Sequence, residues 1–483
     1  MRIFYYLAIL WMIFCFSDPA IAKHKKKKVK KRKHITSSYV MSVAPAIYGT
    51  SQLTNEINKL VYSNSANAGI GVYVKSMRSG ATLYSYNINR SFVPASTMKV
   101  MTAEAALIFL GPNYRFSTQL LTDAKSVRNG ILQGNLYIVL SGDPTLTYND
   151  LVEMMMALQS QQIRAIAGNV YIDNTAYDQS FYGPGWVYKD RSYCYGAPIS
   201  ASIINRNCPP IRLLVSDSDN QTKKTAAKKS YRRRTCSLRT TDDPNSMTTI
   251  DDCMSGNWGI NYAVTNVPEY NRSLVKSLLQ RLSVNIYGRV TFGSAGDNLS
   301  MINQHSSEPL NEMIKEMLKK SDNVIAGALF KKIGQLYARQ PGSWENGSIA
   351  VAQILAKKTG LTITGMRLLD GSGLSPYNLL TPAQMMRVLD YAYHSSTSDD
   401  FISALPISGV DGTLKHRMGN IARKVRAKTG TISGVVSLGG YTITAEKEPL
   451  AFVIMVNGSK GYSWRYRSME DKIATALTRY RNA

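Results

Sequence analysis

Two periodicities run along the chain. Apolar residues fall at every second position in Ile70-Gly-Val-Tyr-Val-Lys-Ser-Met77 and in Ala81-Thr-Leu-Tyr-Ser-Tyr86, on either side of Arg78-Ser-Gly80. Period two around a Ser-Gly turn predicts a β-hairpin. A short helix closing over Ile57 to Val61 precedes it. After Pro94 the spacing becomes helical, from Ser96 through Met101, Ala103, Ala106 and Leu107 to a stop at Gly111-Pro112. From about Tyr114 to about Ser294 the texture changes to short strands and turns, with a polar Lys/Arg-rich stretch from Gln221 to Arg239. Helical spacing returns at Leu310 to Leu318, Val324 to Leu336 and Thr381 to Tyr393. Strands are then expected over Lys424 to Lys428, Val435 to Thr444 and Ala451 to Asn457, before an amphipathic helix from about Tyr466 to Tyr480. These elements can close into one α/β domain whose sheet draws strands from both ends of the chain. No internal repeat is visible.

Composition changes this picture at the ends and in the middle. With 483 residues, 44% of them hydrophobic, the chain is globular and long enough for two or three domains. The net charge of +26 is concentrated: nine Lys/Arg lie between Lys23 and Lys33 and eight between Lys223 and Arg239, with no acid in either run. The folded body is only moderately basic, so no nucleic-acid partner is expected. Arg2, the apolar run Ile3 to Phe16 and Ala20-Ile21-Ala22 read as an export signal cleaved after Ala22, since the run is shorter than the roughly 20 residues of a membrane span. Residues 23–45 then form a basic tail that cannot bury apolar surface. One reading of that tail is electrostatic contact with an anionic envelope; another is a charged spacer with no specific partner. Export to the periplasm suits the four remaining cysteines, Cys194, Cys208, Cys236 and Cys253, an even number that suggests two disulfides. Three connectivities are open, nearest-neighbour pairing being the simplest. No C-x-x-C pair is present, so no metal site is expected.

The candidate chemistry starts at Ser96-Thr97-Met98-Lys99, where a hydroxyl and an amine three residues apart emerge on one face of a starting helix. A neutral lysine there can take the proton of the serine, provided that burial or a neighbouring cation depresses its pKa. Ser321-Asp322-Asn323 precedes an apolar helix, and Lys428-Thr429-Gly430-Thr431 stands at the end of a strand, where glycine permits close approach of a ligand backbone. Each piece alone is ordinary: an N-cap serine with an exposed lysine, a helix cap, a strand-end turn. Together, in this order and context, S-x-x-K, S-D-N and K-T-G are the signature set of penicillin-binding proteins and class A β-lactamases. A Ser-His-Asp arrangement is disfavoured, because Gly371-Ser372-Gly373 lacks the G-x-S-x-G pattern and Ser372 reads as a turn residue.

From about Asn55 to its end the chain resembles the class C low-molecular-mass penicillin-binding proteins, the D-alanyl-D-alanine carboxypeptidase/endopeptidases. The resemblance runs through Val93-Pro-Ala-Ser-Thr-Met-Lys99, Leu140-Ser-Gly-Asp-Pro-Thr-Leu146, Tyr195-Gly-Ala-Pro-Ile-Ser200, Asn205-Arg-Asn207, Asp370-Gly-Ser-Gly-Leu374 and Gly409-Val-Asp-Gly-Thr-Leu414. It implies a penicillin-binding/β-lactamase-like transpeptidase domain, an antiparallel sheet flanked by helices, over 46–113 and 295–483. A mixed α/β insertion over 114–294, two small domains, would separate the S-x-x-K and S-D-N motifs. It further implies that Ser96 attacks the penultimate D-alanine carbonyl and Lys99 is the base. Ser321 would relay the proton to the leaving amine, Asn323 would orient substrate and Lys99, and Lys428 would supply a cation beside Ser321. Thr429, Gly430 and Thr431 would line the substrate, with the backbone N–H groups of Ser96 and Thr431 as the oxyanion hole. Peptidoglycan stem peptides would be substrates, β-lactams covalent inhibitors, and no cofactor would be needed. A serine β-lactamase and a non-catalytic cationic wall-binding protein are the competing readings.

Overall fold

The computed structural model describes residues 45–213, 235–240, 247–251, 259–459, 461 and 463–482, and over 210–261 it describes backbone alone. The export signal, all of the basic tail but Pro45, and both Lys/Arg runs lie outside the described residues, except for the backbone of Arg239.

The main sheet has five antiparallel strands in the order Val425–Ile432, Val435–Ile443, Pro449–Asn457, Gly69–Ser76, Thr82–Tyr86. Strands from both ends of the chain meet in it because Gly69–Ser76 pairs with Pro449–Asn457. Alternation along a strand assigns its two faces to different cores. Leu450, Phe452, Ile454 and Val456 pack with Leu53, Ile57 and Val61 of the helix Gly49–Ser65 and with Tyr466, Met469, Ile473 and Leu477 of the helix Ser463–Arg479. Ala451, Val453 and Met455 face the other core, built from the helices Met98–Leu110, Leu310–Lys320, Asn323–Ala338, Trp344–Thr359 and Pro382–His394. Met98–Leu110 is buried on every side from Met98 to Leu107, its polar residues Lys99, Thr102 and Glu104 included, as befits a helix at the centre of a core. It is the element that carries Lys99.

Between this helix and the Ser321 turn the chain builds a second five-stranded sheet, in the order Val290–Phe292, Val170–Asp173, Leu136–Val139, Ser117–Thr122, Ser300–Ser306. The first three strands are parallel and the last two antiparallel to their neighbours. Two helices, Tyr148–Ser160 and Val267–Arg281, pack on it through Leu151, Met155, Leu274 and Leu278. Both interrupt a stretch whose texture suggested strands and turns. A four-stranded antiparallel sheet, Met247–Asp251, Thr235–Thr240, Pro210–Leu213, Gly259–Asn261, and a smaller one of two-residue strands complete the region.

Candidate active site

Ser96 lies in a tight 3-10 turn, Ala95–Thr97, that leads directly into the helix Met98–Leu110. The turn is unusual backbone. Ala95 has φ 48°, a left-handed conformation that costs a non-glycine residue about 1–3 kcal/mol and persists only where the surroundings enforce it. The enforcement is visible: the Thr97 and Ser437 hydroxyls both donate to the Pro94 carbonyl at 2.6 Å, and Gly373, itself at φ +80°, packs so closely that any Cβ there would strike the Ala95 carbonyl. The hydroxyl of Ser96 is thereby aimed along the face on which Lys99 emerges.

The Lys99 ammonium is the hub of the site. Its Nζ lies 3.1 Å from Ser96 Oγ, 2.6 Å from Asn323 Oδ1 and 2.7 Å from the Ser372 carbonyl. Lys99 is wholly buried, and that burial lowers its pKa from 10.5 to about 7, against the opposing pull of Asp370 and then Asp322. An amine in this state is neutral in half of the molecules near neutral pH and can accept a proton from the hydroxyl beside it.

The other two motifs converge on the same place. Ser321 caps the helix Leu310–Lys320 in a left-handed conformation, φ 59° and ψ 40°, and Asp322 caps the next helix by accepting from the Ile325 N–H at 2.9 Å. This reversal brings Ser321 Oγ within 2.9 Å of Lys428 Nζ and Asn323 to Lys99. Lys428 is also fully buried, donates to the Thr429 carbonyl at 2.7 Å, and has its pKa pushed well down by burial first and by Lys99 second. The Lys99 ammonium thus adds to burial in favouring the neutral form of Lys428.

K-T-G does not end the strand at Lys428, as its sequence suggested, but lies inside it: Val425–Ile432 runs through Lys428, Thr429, Gly430 and Thr431, each paired with the strand Val435–Ile443. Backbone hydrogen bonding to the neighbour carries the strand past Lys428, where its end was expected, to Ile432. Val425–Ile432 is also the edge of the main sheet. Gly430 is required there, since a Cβ would sit 2.8 Å from the Pro94 carbonyl and 3.0 Å from the Ser96 nitrogen. Thr429 Oγ1 donates to Thr413 Oγ1 at 2.7 Å, while the Thr431 side chain is exposed. The fold thus brings the S-x-x-K, S-D-N and K-T-G residues together in one place.

Several contributors escaped the sequence reading. Ser372 is indeed a turn residue, its Oγ accepting from the Leu374 N–H at 3.1 Å, yet its carbonyl holds Lys99. Buried Asp370 shapes that turn by accepting from the Ser372, Gly373 and Ser375 N–H groups and from Trp186 Nε1. The Tyr195 carbonyl accepts from Asn323 Nδ2 at 2.7 Å. Cys194, next to it, is disulfide-bonded to Cys208 with a Cα–Cα distance of 5.4 Å, which selects among the connectivities left open. Cys253 and the side chain of Cys236 lie outside what is described.

A sheet with helices on both faces and S-x-x-K, S-D-N and K-T-G joined by hydrogen bonds at its edge define a penicillin-binding type of peptidase. Residues 53–480 match the D-Ala-D-Ala carboxypeptidase 3 (S13) family, and the chain belongs to it. It is similar to D-alanyl-D-alanine carboxypeptidase DacB of Haemophilus influenzae, 29% identical over 89% of this chain and 94% of that one. It is 30% identical to the D-alanyl-D-alanine carboxypeptidase of Actinomadura sp. R39, over 91% of this chain and 88% of that one. The crystal structure of penicillin binding protein 4 (dacB) from H. influenzae superposes with a TM-score of 0.76, covering 87% of this chain and 99% of that one at 29% identity. The same protein complexed with a β-lactam gives a TM-score of 0.72 at 28% identity, over 86% and 97% of the two chains.

Proposed function

We propose that this carboxypeptidase is an exported serine DD-peptidase acting through an acyl-Ser96 intermediate on peptidoglycan stem peptides. The observation that carries the reading is the fully buried Lys99, held at a pKa of about 7 and 3.1 Å from Ser96 Oγ. Neutral Lys99 takes the Ser96 proton as Oγ attacks the penultimate D-alanine carbonyl. The backbone N–H groups of Ser96 and Thr431 would receive the developing oxyanion, a reading supported by the close approach of the strand to the Ser96 turn at Gly430. Ser321, bonded to Lys428, relays that proton from Lys99 to the leaving amine, and water then hydrolyses the ester, Lys99 taking the water proton and Ser96 Oγ recovering it. Thr429, Gly430 and Thr431 line a sheet edge along which an extended peptide can add as a further strand. Asn323 orients both the substrate amide and Lys99.

The leaving amine decides the activity. When it belongs to D-alanine the enzyme is a carboxypeptidase; when it is the side-chain amine of meso-diaminopimelate the enzyme cuts crosslinks as an endopeptidase. β-Lactams, which carry a strained amide in place of the scissile one, are expected to acylate Ser96 and inhibit; a relative was solved with one bound. Export rests on the sequence of residues 1–22; among the described residues no helix is long and apolar enough to cross a membrane. The proposed organisation is a hydrolase domain over 46–113 and 295–483 with the insertion 114–294. Digestion of purified crosslinked muropeptides, with products identified by mass, tests the activity. Loss of terminal D-alanine and splitting of dimers are both expected from wild-type protein and neither from Ser96→Ala. Full activity in Ser96→Ala would contradict the reading.

A further inference from the structure

Asn205, Arg206 and Asn207 are consecutive left-handed residues, at φ 49°, 60° and 49°. Such backbone persists only where its surroundings over-determine it, and here they do. The Asn205 N–H donates to the Leu146 carbonyl at 2.9 Å, and its side-chain oxygen accepts from the Tyr148 N–H at 3.1 Å. Buried Asn207 donates through Nδ2 to the Pro198 carbonyl at 3.0 Å. The adjacent Cys208 is tied to Cys194.

What this strained turn delivers is one guanidinium. Arg206 donates through Nη1 to Asp322 Oδ2 and through Nη2 to Glu316 Oε2 at 2.8 Å. Glu316 lies near the end of the helix Leu310–Lys320, and Asp322 caps the helix Asn323–Ala338 with its other oxygen. The left-handed residue Ser321 sits between these two anchors. A planar fork therefore spans the joint whose conformation sets both Ser321 and Asn323, and the same disulfide-closed loop offers the Tyr195 carbonyl to Asn323 Nδ2. We propose that Arg206 is a positioning residue: by bridging Glu316 and Asp322 it holds the Ser321–Asn323 turn so that Ser321 meets Lys428 and Asn323 meets Lys99. It acts through the turn, and the inference rests on the acyl-Ser96 reading above.

The test compares wild type, Arg206→Ala and Arg206→Lys for kcat and KM on a D-Ala-D-Ala peptide, for the rate of Ser96 labelling by a fluorescent penicillin, and for Tm. Arg206→Ala should lose roughly 10- to 100-fold in kcat, the scale on which small displacements of positioned groups act, with KM within about twofold. Labelling should slow in parallel. Arg206→Lys should recover part of the loss, since an ammonium reaches one acid but cannot bridge two as the guanidinium fork does. A folded Arg206→Ala with wild-type kcat, or with an effect confined to KM, would overturn the inference. Should Arg206→Ala fail to fold, Arg206→Lys decides alone: wild-type kcat overturns the inference, and a lowered kcat at unchanged KM supports it. Wild-type protein that takes no label on Ser96 would sink the acyl-serine reading instead, so the two failures are distinct.

Discussion

A lysine in water keeps its proton at any physiological pH, so the chemistry proposed for Ser96 depends on what surrounds one amine. Burial lowers Lys99 to about 7 while Asp370 and Asp322 pull the other way; burial wins because the side chain has no exposed surface at all. The sign of the pH dependence follows. Below about 7 the amine is charged and cannot act as base, so kcat/KM on a soluble D-Ala-D-Ala peptide should rise with pH through about 7 and fall roughly tenfold per unit on the acid side. A rate that is level between about pH 5 and pH 8 would show that Lys99 is not the base. At this scale the sequence displayed the ionisable and nucleophilic partners by type and order. It could not display carbonyl oxygens, which every residue owns: the Ser372 and Tyr195 carbonyls that hold Lys99 and Asn323 leave no mark in side-chain identity. Nor could it show that Ala95 adopts a positive φ, because alanine is not a residue that announces one.

Elements were legible where periodicity was long and caps were strong. Asp322 and Thr381 cap helices close to where the apolar spacing begins, each accepting from the N–H three residues on. The helix Trp344–Thr359 was missed for a physical reason: its capping box pairs Ser343 with Asn346 rather than with Glu or Gln, and Gly347 and Ser348 weaken its first turns. The strand through K-T-G was expected to end at Lys428 because Thr-Gly-Thr reads as a strand-end turn. Gly430 does mark a close approach, made by the protein's own backbone at Pro94 and Ser96, and this yields a prediction. Gly430→Ala must push the edge strand from the Ser96 turn, since the new methyl would stand 2.8 Å from the Pro94 carbonyl and 3.0 Å from the Ser96 nitrogen. A loss of about 10²-fold in kcat/KM is expected, the scale of an approximately 1 Å misplacement, with a folded protein by near-UV circular dichroism. Unimpaired turnover in this variant would mean that the strand does not form part of the site.

On the scale of the whole molecule, the fold brings together groups remote in sequence. The Lys99–Asn323 hydrogen bond spans 224 positions and the Lys428–Ser321 bond 107, with a second sheet and its helices built in between. That convergence was readable only because three motifs came in a known order; the parallel pairing of Leu136–Val139, Val170–Asp173 and Val290–Phe292 was not, since strands this short carry little pattern of their own. The basic tail belongs to this scale too. Deleting Lys23 to His34 should leave hydrolysis of a small soluble peptide unchanged while reducing retention on isolated envelopes, and that retention should weaken steeply with added salt, because screening acts over about 8 Å at physiological ionic strength. Turnover lost with the tail would make it part of the enzyme. The central claim, that Ser96 is the residue acylated, meets its most direct test in peptide mapping of protein labelled with a fluorescent penicillin: one adduct, on the peptide carrying Ser96 and abolished in Ser96→Ala, is the predicted result, and an adduct on Ser372 or any other residue would contradict it.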